Sequence, residues 1–496
     1  MAVMAAVDLG AQSGRVAVGR FDGERLTVTE VHRFPNAPVR TRGSLQWDIV
    51  GLYRQVLDGL RAAGREAGRV DSLAVDSWGV DFGLVDRRGR LLQNPVHYRD
   101  SRRADAMERT LERVPARELY ERTGIQLMPI NTVFELAAMA ADDDPVLAAG
   151  ETLLLVPDLM HHWLCGTRVS ELTNATTTQC WDPRRSEWAT DLLERLDVPA
   201  RLLPEVVEPG TRLAPLSHDV ADGTQLGDAA VVAVATHDTG SAVAAVPFRA
   251  ASSVFISAGT WSLVGLEVGE PVITEAAFAA NLTNEGGVSG TFRLLRNVTG
   301  LWLVDECRRA WALEGHAYSF DQLIALAKEA PALQSFIEPN DPAFAESGDM
   351  PARVRAFCAH TGQAEPDEPG AVVRCVLESL ALKHAQIVDV LASVTGTSPR
   401  EIHIVGGGAR NELLCRWTAA ASGLQVHAGP EEATLLGNLL VQAISLGEIA
   451  SFAEAREIVT ASVAPTMYEP RDSPTWSDAR ERFSAAVAPP ELEVRA

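Results

Sequence analysis

Several short stretches of this sequence bring glycines, hydroxyls and acids together in patterns suited to an anionic ligand. The first is Asp8-Leu9-Gly10-Ala11-Gln12-Ser13-Gly14-Arg15. Its glycines let backbone N–H groups approach an anion, Ser13 can donate and Arg15 adds positive charge. Asp8, at the end of an expected strand, is placed to hold a metal-bound water. The same stretch also reads as an ordinary hairpin with a polar turn. Ser257-Ala258-Gly259-Thr260-Trp261-Ser262 is a second turn of this kind. Two such turns, one in each half of the chain, point to one nucleotide shared by two related domains. The third stretch, Ile404-Val405-Gly406-Gly407-Gly408-Ala409-Arg410-Asn411, runs from strand through glycines to a helix start. It has neither GxGxxG nor GxxxxGK[ST] spacing, which excludes a dinucleotide fingerprint and a P-loop. A plain strand-to-helix turn is its other reading.

His237-Asp238-Thr239 follows a continuous apolar run, residues 231–236. An acid after a buried strand is either a helix cap or a base. Its place beside the glycine turns favours the base. The partial positive charge of a helix start is expected to favour the carboxylate form there. Asp76-Ser77-Trp78-Gly79-Val80-Asp81-Phe82-Gly83 and Tyr98-Arg99-Asp100-Ser101-Arg102 set polar groups beside aromatic rings. That combination suits a sugar, with its apolar faces and hydroxyl edges. Core packing is the alternative for Trp78 or Phe82.

The elements that must carry these residues alternate between strand and helix. Residues 4–9 and 15–21 read as a hairpin, and residues 48–68 as a helix capped by Asp48. Short strands are expected at 72–76, 83–85 and 231–236, and helices at 104–122 and 131–141. The pattern then restarts. Residues 253–257 and 261–268 read as a second hairpin, followed by helices at 301–313 and 372–394, a strand at 401–405 and a helix from Asn411. This suggests duplicated architecture with a boundary near residues 246–251. The Pro-rich, charged chain after Pro465 is expected on the surface.

The chain has 496 residues, of which 46% are hydrophobic and 22% charged, values of a globular protein with more than one core. Its net charge of −22 argues against general nucleic-acid or anionic-membrane binding. Only Lys328 and Lys383 are lysines, so nearly all the positive charge is arginine. No stretch reads as a membrane span or a signal peptide. Six cysteines without a CxxC pair read as reduced cytoplasmic thiols rather than a zinc site or disulfide framework. Pairing of Cys358 with Cys375 stays open.

Together these stretches resemble the FGGY family of carbohydrate kinases, in the sugar kinase/actin/Hsp70-like superfamily. The resemblance also draws on Pro129-Ile130-Asn131-Thr132, on Asn297 with Gly300-Leu301-Trp302, and on Gly429-Pro430-Glu431-Glu432-Ala433-Thr434 with Gly437-Asn438. It is collinear over residues 7–438. The Ser77–Phe82 block and Pro129–Thr132 are most similar to the branch acting on L-rhamnulose. The segment after Asn131 lacks the Lys and Trp usual in glycerol and xylulose kinases, and the helix at 372–394 lacks the glycine of the second family signature. Val304-Asp305 stands where an amide residue is expected near the nucleotide.

The resemblance implies an α/β fold of two actin-like (ribonuclease H-like) domains with a cleft between them. Residues 1–246 would carry the sugar site, a phosphate loop and the catalytic acid, residues 247–485 the nucleotide, and 486–496 a tail. It implies MgATP-dependent conversion of L-rhamnulose to L-rhamnulose 1-phosphate, with Asp238 catalytic. Gly10, Ala11, Gln12, Ser13, Gly14, Arg15, Thr260, Asp305 and Gly407 would bind ATP. Gly83, His237, Asp238, Thr239 and Asn297 would bind the sugar, and Asp8 would reach Mg²⁺ through water. The implied partners are small molecules, with neither nucleic acid nor membrane, and the implied compartment is the cytoplasm. Alternatives are another ketose or deoxy sugar such as L-fuculose or xylulose, a sugar-independent actin- or Hsp70-like ATPase, and a sugar sensor.

Overall fold

The strand Ala2–Leu9 is buried along its whole length, as an apolar run does when both faces of a sheet are covered. In the computed structural model, which describes residues 2–100, 102–248, 252–470 and 474–487, it lies inside a six-stranded sheet. The order is Thr211–Pro215, Ala230–Ala233, Ser72–Ser77, Ala2–Leu9, Ser13–Phe21, Leu26–Pro35. Ala2–Leu9 runs parallel to Ser72–Ser77, which runs parallel to Ala230–Ala233. The hairpin partner Ser13–Phe21 is antiparallel and pairs Asp8 with Arg15. Ser101, the junction residues 249–251 and the end of the tail, 488–496, lie outside the described residues.

The described chain packs as two compact units. The first holds residues 1–249, 266–296 and 432–464. Opposite faces of its sheet are covered by helices far apart in sequence. Ile49–Ala67 begins at Asp48, whose side chain accepts from Gly51 N, and ends at Gly68 in a positive-φ conformation. A Cβ on Gly59 would come within 2.3 Å of Val16, so glycine lets this helix close on the strand. On the other face, Leu439 of helix Ala433–Leu446 fills the space beside Gly19. Val16 and Gly19 point to opposite faces because strand side chains alternate. The expected helix at 104–122 is two helices, Arg102–Arg113 and Ala116–Thr123. Pro115 lacks an N–H and disfavours helical backbone at the residue before it, which ends the first.

The second unit holds residues 250–265, 297–431 and 465–496. Its strand Val254–Ala258 runs parallel to Glu401–Val405, which runs parallel to Gln425–Ala428. Thr466–Tyr468 closes the edge antiparallel to Gln425–Ala428. The chain after Pro465 was expected on the surface. It does lie largely there, but helix Pro474–Ala486 also buries Ala479 and Phe483 against Phe336, Leu382 and Ala421. Charged residues on its other side masked an apolar stripe. All six cysteines are free, and the Cys358 and Cys375 thiols are close enough to shift each other's pKa. Among the described residues no helix is long and apolar enough to cross a membrane.

Helices Asp238–Ala244 and Ala433–Leu446 cross at Gly437 within the first unit. A Cβ there would lie 1.7 Å from the Ser241 carbonyl oxygen, a backbone atom that cannot rotate away. Gly437→Ala is therefore expected to cost at least about 2–3 kcal/mol. Thermal unfolding should show a midpoint several degrees lower, and an unchanged midpoint would mean the two helices can separate freely.

Candidate active site

Sheet register brings the acids together. Asp8 pairs with Arg15 on one side and lies beside Asp76 of the parallel strand on the other. Ser77 N–H donates to the Thr236 carbonyl, and Ser77 bridges to His237. Helix Asp238–Ala244 thus starts next to the same strand ends. The carboxyl ends of parallel strands are where open α/β sheets bind ligands. Of the sequence-derived candidates, Asp8, Gly10–Arg15, His237, Asp238 and Thr239 all stand at this one edge of the first unit. Asp76 joins them. It was legible as a second strand ending in an acid, but its role was not assigned.

Arg15 donates through Nε to Asp8 Oδ2 at 2.9 Å, and its guanidinium also pairs with Glu432. Burial alone would lower the Arg15 pKa; Asp8 and Glu432 outweigh it and raise it. Asp76 is fully buried. Burial, then the Asp8 charge, push its pKa well above the ordinary value. Its Oδ2 accepts from Asn438 Nδ2 at 2.6 Å. Gln442 Nε2 holds Asn438 Oδ1 at 2.7 Å and also donates to the Ala5 carbonyl, while Ser72 Oγ donates to Gln442 Oε1. This chain turns the Asn438 amide so that its N–H faces the acid. Asp76 Oδ1 stays buried without a hydrogen-bond partner.

Asp238 stands at the first helical position, with His237 before it. Its Oδ1 accepts from Thr239 N at 2.5 Å and lies 3.5 Å from His237 Nε2. Its side chain keeps 31% of its surface, yet protein atoms enclose it closely enough that burial raises its pKa, with Asp8 adding to the rise. The expectation that the helix start would favour the carboxylate is corrected here. Desolvation and a like charge outweigh His237 and the Thr239 N–H. Behind Asp238, Glu171 Oε2 accepts from both Thr236 N and Oγ1 at 2.8 Å. The hairpin Thr283–Gly286 and Phe292–Thr299 places Glu285 opposite Arg293, and both are buried. Arg293 Nη2 approaches His237 Nδ1 at 3.1 Å. Neither residue was singled out from the sequence, although opposite charges mirrored around Gly-Gly-Val-Ser-Gly could have marked a hairpin pair.

The Trp78 block is mostly internal structure. Asp81 Oδ2 accepts from Trp47 Nε1 at 2.6 Å, Trp78 Nε1 at 3.1 Å and Tyr98 N at 3.2 Å, while Oδ1 pairs with Arg103 at 2.9 Å. Burial pushes its pKa up to about 6 against these donors, which leaves it ionised at neutral pH. Trp47 packs on Trp78 and His97 with ring centroids 4.2 Å apart. Between Trp78 and Asp81 the chain carries Val80 at φ 68°, a costly conformation for a β-branched residue, held by Thr177 and Thr132. Gly83 lies in strand Phe82–Val85, where a Cβ would meet Leu91 at 2.7 Å.

In the second unit, Gly259 N–H donates to the Trp261 carbonyl, and its own carbonyl accepts from Leu301 N. Gly300 can sit against this turn because it has no Cβ; one would be 2.7 Å from Trp261 C. Gly408 packs on Ala258 in the same way, while a Cβ on Gly259 or Gly407 would meet nothing within 4 Å. The glycine turn and the triple glycine are thus adjacent, with an open side. Gly407–Arg410 is a short 3-10 turn, and helix Glu412–Ser422 follows with Asn411 as its cap. Asp305 stands in the first turn of helix Trp302–Leu313 and pairs with Arg308 at 3.2 Å. Asn297 lies on strand Phe292–Thr299, its carbonyl accepting from Asn340 Nδ2.

A raised carboxyl beside a glycine turn and an arginine is equipment for taking a proton while an anion is held. Comparison with known proteins shows the family. Residues 3–245 match the N-terminal domain and 254–446 the C-terminal domain of the FGGY family of carbohydrate kinases. A protein named rhamnulokinase from Bacteroides thetaiotaomicron is 39% identical over 482 residues, covering 97% of this chain and 99% of that protein. One of the same name from Enterococcus faecalis is 37% identical, covering 97% and 96%. Among solved structures, a xylulose kinase from Lactobacillus acidophilus superposes with a TM-score of 0.80 at 15% identity, covering 99% of each chain. A Plasmodium falciparum glycerol kinase with ADP gives 0.76 at 13%, covering 98% and 97%. These two likenesses concern the fold. The chain belongs to the FGGY family of carbohydrate kinases. It is a kinase that transfers phosphate to a sugar.

The direction of the Asp238 shift gives two expectations. A base whose pKa is raised gains its working form as pH rises through that pKa. With Asp238 as the base, the acid limb of kcat/KM should therefore lie above the ordinary aspartate value near 4. A limb at or below it in a pH-rate profile would contradict the shift. For stability, the folded chain holds this proton more tightly than the unfolded chain. That contribution is present below the unfolded pKa and lost as pH rises through the folded one. At pH 7 the raised group counts against folding, so Asp238→Asn should keep or raise the melting temperature in a thermal scan.

Proposed function

We propose that this kinase phosphorylates L-rhamnulose on its 1-hydroxyl, with ATP as donor. The observation that carries the choice of sugar is the nearly full-length likeness to proteins named rhamnulokinase. We infer that residues 1–246 supply the sugar site and the base, residues 247–485 the nucleotide contacts and residues 486–496 a tail. A reducing cytoplasm fits six free thiols.

Asp238 orients the sugar hydroxyl and accepts its proton late, because a loose phosphoryl-transfer transition state does not need early deprotonation. His237 and Thr239 hold neighbouring sugar hydroxyls, with Gly83 and Asn297 as further sugar residues. Gly10, Ala11, Gln12, Ser13 and Gly14 form the phosphate turn. Arg15, fixed by Asp8 and Glu432, offers the charge. Thr260, Gly407 and Asp305 contact the nucleotide; the open side beside Gly407 leaves room for it. The oxygen-rich pair Asp8 and Asp76, with one buried carboxylate oxygen unpartnered, suits a hard divalent cation. Asp8 would reach Mg²⁺ through water, and the ion, when bound, would neutralise charge on the phosphates.

An ADP-release assay over ketoses and polyols should give the highest kcat/KM on L-rhamnulose, with glycerol poor because it is too small to fill the pocket. Higher values on L-fuculose or D-xylulose would assign a different sugar, and turnover without any sugar would remove the kinase reading. Asp238→Asn, which keeps size but cannot take the proton, should lower kcat by about 10²–10⁴ with little change in ATP affinity. Near-wild-type turnover would leave Asp238 as a helix-start residue and nothing more.

A further inference from the structure

We propose that Arg293, balanced by Glu285, is a positioning residue that fixes the His237 ring with its hydrogen on Nε2, facing Asp238. The proposal rests on the reading of Asp238 as the base and adds a group that acts on it through the histidine.

The argument starts from donor chemistry. A guanidinium carries five N–H donors and no acceptor. Arg293 Nη2 lies 3.1 Å from His237 Nδ1, so that nitrogen must offer its lone pair. In a neutral imidazole the hydrogen then sits on Nε2. Nε2 is the atom 3.5 Å from Asp238 Oδ1. The ring thus presents a donor, not a lone pair, to the carboxylate that takes the sugar proton.

Arg293 is placed by several independent contacts. Its Nε donates to the Gly286 carbonyl at 2.9 Å, and Nη2 also reaches the Thr173 carbonyl at 3.4 Å. The side chain has no exposed surface. Burying a guanidinium is costly without an opposite charge. Glu285, directly across the hairpin, lies 3.2 Å from Nη1. Glu285 Oε2 is also 3.2 Å from His237 Nδ1. An ionised carboxylate cannot donate, so it would claim that nitrogen only if Nδ1 carried a hydrogen. The two neighbours of Nδ1 therefore demand opposite states of it; Glu285 is already ion-paired with the guanidinium, and the hydrogen bond from Arg293 Nη2 selects the unprotonated one. Thr173 Oγ1 accepts from His237 N at 3.2 Å and fixes the backbone from which the ring projects.

The tautomer can be read directly from ¹⁵N–¹H correlation spectra of ligand-free, ¹⁵N-histidine-labelled chain, with His237→Gln used only to assign the signal. Wild type should show Nε2 protonated and Nδ1 bare. A hydrogen on Nδ1, alone or with Nε2, overturns the proposal without any variant. Arg293→Met should disturb the tautomer and lower kcat about 10- to 100-fold, the range for losing an orienting partner of a working histidine. Arg293→Lys, which keeps a charged donor, should restore both. A fall in kcat in Arg293→Met with the wild-type tautomer intact would make Arg293 a purely structural residue. If Arg293→Met does not fold, the wild-type spectrum and Arg293→Lys still decide. The spectra need no sugar, so an error in the assigned sugar, or in the role of Asp238, would leave this result standing.

Discussion

Three carboxylates must share one sheet edge, and much of the surrounding structure answers that demand. The register sets Asp8 beside Asp76, and the Ser77–Thr236 hydrogen bond brings Asp238 to the same place. Like charges this close resist ionisation together, and burial deepens the resistance. The compensation differs for each acid. Asp8 has the Arg15 guanidinium, Asp76 has the Asn438 amide, and Asp238 has the Thr239 N–H with His237 alongside. Burial and neighbouring negative charge keep Asp76 and Asp238 raised against these partners.

The supports themselves need support, and that explains buried polar residues that would otherwise weaken the core. Asn438 can turn its N–H to Asp76 because Gln442 holds its oxygen, and Gln442 is held by Ser72 and the Ala5 carbonyl. A half-satisfied network of this kind would be worse than an apolar one; this one has its amides oriented at each step. The Glu171–Thr236 bonds and the Arg293–Glu285 pair do the same behind His237 and Asp238. Rigid neighbours on strands and helices, rather than loops, set the direction of the acids at this edge.

Much of this was legible in the sequence where a local rule governs. The hairpin at Asp8–Arg15 follows from β-rich runs around a glycine turn, and helix Ile49–Ala67 from its apolar spacing and its Asp48 cap. Pro115 should have been read as a break and was overridden by the helical pattern on either side. The tail helix was hidden because its apolar stripe is narrow and its flanks are charged. The pairings that finish the site were not legible at all. Nothing local in Glu432, Asn438 or Gln442 says that they answer Arg15, Asp76 and Ala5, because those partners are set by which helix covers which face of the sheet. Arg293 and Glu285 are legible as a hairpin pair only once the turn between them is recognised.

The order in which the chain is made gives the covering helix Ala433–Leu446 a further meaning. Asp8 leaves the ribosome 430 residues before Asn438 (438 − 8). At ordinary rates of translation that is roughly 20–90 s. Through that interval Asp76 lacks its amide and Arg15 lacks Glu432. The sheet face at Gly19 also waits for Leu439. The first unit is thus the first begun and among the last finished. A nascent chain carries an uncovered apolar face for nearly its whole synthesis, and a message cut short before codon 432 yields a protein with Asp238 but without the residues that hold its neighbours in place.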